Sequence, residues 1–228
     1  MTTLLSTLAC LCLSGPHVTD FVQRYATADV RTLPTFSAFC NHQGRVQVTA
    51  WIVQLAEDVI GLILPTTLLD TAHRHFKNYA ALSRITLSIA TGYAMGHFTT
   101  KPEVTWHTDN LPPAALTEEQ AWHIQRMKAH YPLLTPETVG AFTPHMLGLD
   151  LIQAISFQKG CYLGQEIVAR TEFRGTVKRR LTHLQGETDQ PVLPEHAQLV
   201  EWMTKDIGWI ALVVMTVSEP IPLNPYNE

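Results

Sequence analysis

Residues 159–180 read KGCYLGQEIVARTEFRGTVKRR. One cysteine, Cys161, stands between a Lys-Gly and a tyrosine, and a Gln-Glu pair then leads into five further cations. Gly160 and Gly164 free the backbone around the thiol, so the chain there can bend sharply or approach a ligand. Lys159 and the N-terminus of a short helix expected over 163–171 would both stabilise a thiolate. Gln165 and Glu166 add polar groups at the helix start. On these residues alone Cys161 is either a reactive, ligand-facing thiol or a buried, inert one. The run Arg170, Arg174, Lys178, Arg179, Arg180 is either a solvated basic face or a surface for a polyanion.

The basic character is local. Six of the sixteen Lys/Arg and two of the twenty Asp/Glu fall in 159–180, so that stretch carries +4 and the rest of the chain −8. The net charge of −4 argues against bulk nucleic-acid binding, yet a basic patch on an acidic protein can still guide a polyanion. With 46% hydrophobic and 16% charged residues the chain is too apolar for disorder, and 228 residues suffice for one large domain or two small ones. Cys10, Cys12, Cys40 and Cys161 suggest no disulfide framework; reduced thiols point to the cytoplasm. The opening MTTLLSTLACLCLSG imitates a signal peptide but lacks a basic n-region, the first cation being Arg24, and reads as a strand. No apolar stretch reaches the ~18–20 residues of a membrane-spanning helix.

Upstream of the basic run the periodicities alternate between helix and strand. Leu4–Leu13 predicts one strand, stopped by Gly15-Pro16. Val18, Phe21, Val22 and Tyr25 share one helical face, predicting a helix over 18–27. Phe36–Cys40 and Arg45–Leu55 predict strands around a turn at 41–44, the second half-buried with Val46, Val48, Ala50 and Ile52 inward. The continuous apolar run Val59–Leu64 suits a central strand. A helix over 66–80 would bury Leu69, Ala72, Phe76 and Tyr79, and Ile85, Leu87 and Ile89 close the sheet. This order predicts helices packed on a mostly antiparallel sheet, an α+β unit. Residues 91–116 read as a polar connection or a reduced subdomain. Thr117, Glu118, Glu119 and Gln120 have capping-box spacing for a helix to about His130. Segments after Leu181 read as a small terminal sheet or barrel, with a loose tail beyond Pro220.

Few other residues suggest chemistry. Cys10 and Cys12 face one side of a strand without a second pair to complete a metal site, and read as small buried hydrophobes, as does Cys40. His73 and His75 diverge on a helix and cannot share an ion; His73 is expected near the apolar face and His75 in solvent. Trp122 is either a core anchor or a stacking surface for a flat heteroaromatic ligand.

The 159–180 stretch resembles the K-G-C-Y-x-G-Q-E…R…R-G…K-R signature of the YgfZ group, folate-binding relatives of the glycine-cleavage T-protein, an aminomethyltransferase. The resemblance continues in LSGPHVTDFVQRYATADVRTL, in FCNHQGRVQVTAWIV, in HFKNYAALSRITL and in the segment from Ala121 to Tyr162, covering about residues 8–90 and 120–185. Departures include Gln43 for a usual lysine, His145 for Gln, Gly148 for Asn, His130 for a common Gly, and Leu8 where some relatives carry an aromatic.

The resemblance implies an α+β fold of the GcvT/YgfZ kind: mostly antiparallel sheets with packed helices, a shortened middle domain and a small C-terminal β-barrel-like part. A core of 1–90 plus 117–180 would bind folate, with 91–116 as the reduced middle connection and 181–228 as a short β domain. The implied function is an accessory protein, cytoplasmic and not membrane-bound, that binds tetrahydrofolate or a derivative. It would support iron–sulfur enzymes and hence tRNA methylthiolation. Cys161 would be the functional thiol, Trp122 would line the folate pocket, and Lys159, Tyr162, Gln165, Glu166, Arg170 and Arg174 would complete the site. Alternatives are tetrahydrofolate-dependent aminomethyl transfer, for which ITLSIATGY after Arg84 offers no carboxylate, and direct, weak tRNA contact through 170–180.

Overall fold

The structure, a computed structural model, describes residues 2–109 and 119–222. In chain order the elements are β1 (Thr2–Leu5), β2 (Leu8–Ser14), α1 (Val18–Gln23), β3 (Thr35–Cys40), β4 (Val46–Ala56), β5 (Val59–Pro65), α2 (Leu69–Leu82), β6 (Thr86–Ile89), β7 (Tyr93–Phe98), β8 (Pro102–His107), α3 (Glu119–Lys128), α4 (Gln165–Arg174), β9 (Thr176–Gly186), β10 (Gln198–Thr204) and β11 (Trp209–Pro222). They form three sheets, ordered β3-β4-β5-β2-β6, β1-β7-β8 and β10-β11-β9. Every strand pair is antiparallel. The architecture is α+β, and its C-terminal part is an open three-stranded sheet rather than a closed barrel.

The central position of the apolar run is as expected: β5 lies in the middle of the five-stranded sheet, with Ile60, Leu62, Ile63 and Leu64 fully buried. The expectation for β4 needs correction. Val46, Val48, Ala50 and Ile52 are buried, but so are Thr49, Trp51 and Val53 on the opposite face. On the helix side of the sheet, Phe39 of β3 meets Phe76 of α2 edge-on at 5.0 Å. On the other side Trp51 tilts against Trp122 at 5.6 Å and donates to the Pro102 carbonyl of β8. A strand covered on both faces keeps no solvated side. Residues 93–107 supply that cover in part: β7 pairs with β1, and β8 pairs with β7.

Leu4–Leu13 is two strands in two sheets rather than one. The break falls at Ser6 and Thr7, where Glu119 accepts from the Ser6 hydroxyl (2.6 Å), the Thr7 amide (3.0 Å) and the Thr7 hydroxyl (2.7 Å). Helix α1 also stops sooner than expected. The Gln23 side chain donates to Asp29 (2.9 Å) and accepts from the Val30 amide (2.9 Å), and the chain leaves the helix through a turn at Arg24 and Tyr25 before Ala26 bridges to Phe39. Helix α2 buries Ala72, Phe76 and Ala80, while Leu69 is half-buried and Tyr79 exposed. The two histidines do not divide as expected. His75 packs edge-on to Phe76 at 4.9 Å, and burial pushes its imidazole down to about 4. Thr117 and Glu118 of the expected capping box, and residues 223–228 of the tail, lie outside the described residues.

Candidate functional site

The loop that carries Cys161 is mounted on residues 24–28, the segment that follows α1. The Thr27 hydroxyl donates to the Ala154 carbonyl (2.7 Å), the Ser156 amide to the Thr27 carbonyl (2.9 Å) and the Leu163 amide to the Arg24 carbonyl (3.0 Å). Beneath the loop the Lys159 ammonium donates to the carbonyls of Ala26 (2.6 Å) and Ala28 (2.9 Å) and lies over the Tyr162 ring at 5.2 Å. Burial lowers the Lys159 ammonium to about 8, with Asp29 opposing the shift; a neutral amine still has the two N–H groups that these carbonyls need. Lys159 therefore anchors the loop instead of facing the thiol, which corrects its expected part in activating Cys161. Tyr162 is buried, its hydroxyl enclosed without a hydrogen-bond partner among the described residues and its ionisation pushed up by burial.

Gly160 and Cys161 stay exposed at the apex. Of the four cysteines, Cys10 and Cys40 are buried and Cys12 half-buried. The Cys10 and Cys12 thiols are hydrogen-bonded, so that Cys12 drops to about 7 and Cys10 is pushed up. Gly164, at φ +82°, starts α4; a Cβ there would lie 2.5 Å from the Asn41 carbonyl, so only glycine lets the helix seat on the β3–β4 turn. Gln165 closes the turn by accepting from the Tyr162 amide (3.3 Å). Glu166, Arg170 and Arg174 are exposed along α4.

Trp122 is placed apart from this loop. It is 0% exposed, its indole N–H donates to the His97 carbonyl (3.2 Å), and Gly96 packs so closely that a Cβ would meet the ring at 2.8 Å. The ring fills the core and presents no face to a ligand. The same helix does border a cleft of about 410 Å³ where α3, the start of β2, the end of β5 and β10 meet. Leu8, Met127, Trp202 and Met203 give it apolar walls, and Thr7, His123, Arg126 and Glu201 give it polar groups. Arg126, 2% exposed, donates to both Glu201 oxygens (2.8 and 2.7 Å), to the Tyr131 carbonyl and to His123 Nδ1 (3.3 Å). Burial lowers the His123 imidazole, with the Glu119 hydrogen bond opposing. Burial works against the Glu119 carboxylate as well, but hydrogen bonds from His123, Ser6 and Thr7 outweigh it and hold the group well below its usual range.

None of Cys161, Lys159, Arg170 and Arg174 lines this cleft. The thiol loop and the cleft are two places on the molecule. Sequence reasoning missed Glu119, Glu201 and Trp202. A carboxylate inside the strand QLVEWMT was a signal, and the β10 bulge between Leu199 and Glu201 re-aims that side chain.

No protein-family model matches the chain. It is similar to the tRNA-modifying protein YgfZ of Colwellia psychrerythraea, 26% identical over 82% of this chain and 72% of the relative. An uncharacterised Haemophilus influenzae protein is 28% identical over 78% of this chain and 71% of its own length. Against the tRNA-modifying protein YgfZ of Escherichia coli, identity reaches 40% over 95 residues, 41% of this chain and 28% of that one. Among solved structures, the glycine cleavage system aminomethyltransferase T from Bartonella henselae superposes with a TM-score of 0.65 at 12% identity, over 94% of this chain and 78% of that one. The resemblance to the YgfZ group thus extends over about four-fifths of the chain, and the fold is that of the aminomethyltransferase.

Proposed function

We propose that this chain is a folate-binding accessory protein of tRNA modification that serves iron–sulfur enzymes through the Cys161 thiol. The observation that carries the reading is the mount of Cys161. It is the one fully exposed cysteine of the four, held at the tip of a loop locked from beneath by Lys159 and Tyr162, on a chain similar to tRNA-modifying YgfZ proteins. A rigid, solvent-facing thiol can meet a partner without rearrangement of the loop.

The cleft beside α3 suits the folate half. A flat heteroaromatic ring needs apolar walls and a few convergent polar groups, and Leu8, Met127 and Trp202 stand around Thr7, His123 and Glu201. Tetrahydrofolate supplies, when bound, ring nitrogens able to carry a one-carbon unit. This chain's residues would hold and orient it: Trp202, 40% exposed, against its ring, and the Thr7 hydroxyl and Glu201 carboxylate at its edge.

Two measurements test the halves separately. Tetrahydrofolate should quench tryptophan fluorescence, and Trp202→Phe should remove most of the change; an unaltered quench in that variant, or no binding by equilibrium dialysis, would sink the cleft assignment. Cys161→Ala removes an exposed side chain and should fold, yet leave tRNA methylthiolation at the empty-vector level in a strain lacking its own homologue. Full rescue by this variant would remove the thiol from the function.

A further inference from the structure

The basic run divides into two sets when the chain folds. Lys159 is engaged by two carbonyls, Arg180 by Asp150 (2.6 and 2.8 Å), and Arg179 by the carbonyls of His196 (3.3 Å) and Val214 (3.4 Å). Arg170, Arg174 and Lys178 are exposed instead. Among the described residues no carboxylate forms an ion pair with any of the three. Half of the six cations of the run are therefore presented to solvent: Arg170 and Arg174 on α4, and Lys178 four residues beyond Arg174 at the start of β9.

That surface also carries an aromatic ring. Residues 166, 169, 170, 173 and 174 fall on one face of α4 and line a shallow hollow. Phe173 is 50% exposed between the two arginines, and Phe157 holds its ring edge-on from beneath at 5.5 Å. The face's carboxylate, Glu166, stands in the first turn of the helix, about 10 Å along the axis from Phe173.

We propose that this face of α4 binds single-stranded RNA, with Phe173 stacking on an unpaired base and Arg170, Arg174 and Lys178 meeting the flanking phosphates. The inference deepens, and rests on, the reading of the chain as an accessory of tRNA modification. Arginine matches phosphate oxygens in a bidentate fork. An exposed ring between cations gains apolar burial and stacking from any base, whatever its identity. Duplex RNA hides its base faces, so the ring selects loops and unpaired ends.

The test is fluorescence anisotropy of a labelled RNA stem-loop with an unpaired loop, titrated with the full chain, against a blunt duplex of equal length. The stem-loop should bind and the duplex bind more weakly. Phe173→Ala should weaken stem-loop binding by about 5- to 150-fold, the range expected for one base–aromatic stack, and Phe173→Trp should retain it. Lys178→Glu should weaken binding and flatten its dependence on salt. Equal affinity of Phe173→Ala and wild type, equal affinity for duplex and stem-loop, or no stem-loop binding at low salt would each overturn the proposal. So would displacement of the RNA by polyglutamate as effective as by unlabelled stem-loop, which would assign the patch to acidic protein surfaces. Tetrahydrofolate binding by Phe173→Ala, measured alongside, separates loss of this site from failure of the cleft assignment.

Discussion

Arg126→Ala should cost the fold about 3–5 kcal/mol, the range for removing one partner of a buried ion pair, read as a lower midpoint of chemical denaturation. The guanidinium is 2% exposed and latches α3 to β10 through two short bonds to Glu201. Its loss leaves a half-buried carboxylate whose remaining donor among the described residues is the Leu133 amide (2.8 Å), and it strips the Tyr131 carbonyl of a donor. Replacing both partners tests the cause. Arg126→Met with Glu201→Leu removes the charges together and should recover most of the loss, because the penalty lies in the stranded charge rather than in missing attraction. A single variant within about 1 kcal/mol of wild type would mean that the pair is effectively solvated.

Trp122→Ala should be comparably severe, about 3–5 kcal/mol for truncating a large aromatic in a packed core. The indole fills the space between Trp51, Gly96 and Leu5 and closes a bond to the His97 carbonyl. Trp122→Phe keeps much of the volume and strands that carbonyl, so it should cost about 1–3 kcal/mol. If Trp122→Ala instead left the denaturation midpoint unchanged, the ring would be open to solvent and its role as a stacking surface would return. As the structure stands, substitutions at 122 report on stability and those at 202 report on the cleft.

What the sequence made legible was whatever depends on near neighbours. The alternation in β4, the apolar run of β5 and the one-sided pattern of α2 are local, and all three elements form. The start of α4 follows from a glycine that must adopt a left-handed conformation beside the Asn41 carbonyl. Features set by distant partners were not legible. Nothing in Leu4–Leu13 marks the break at Ser6 and Thr7, because Glu119, which causes it, lies more than a hundred residues on. Lys159 looked like an activator of its neighbouring thiol because its true partners are main-chain carbonyls, which carry no side-chain signature. Trp122 left two readings open, since burial of an amphipathic-helix tryptophan depends on what packs over it; here that is Trp51 and the β7 backbone.

The mount of the thiol loop has a bearing on biosynthesis. The carbonyls of Arg24, Ala26, Thr27 and Ala28 receive their donors from Leu163, Lys159 and Ser156, more than 120 residues later. A nascent chain that has emerged only through its first sheet holds these acceptors open to water and does not yet include Cys161. Cys161 reaches its exposed position only as the second half of the chain docks on the first, so presentation of the thiol is coupled to completion of folding.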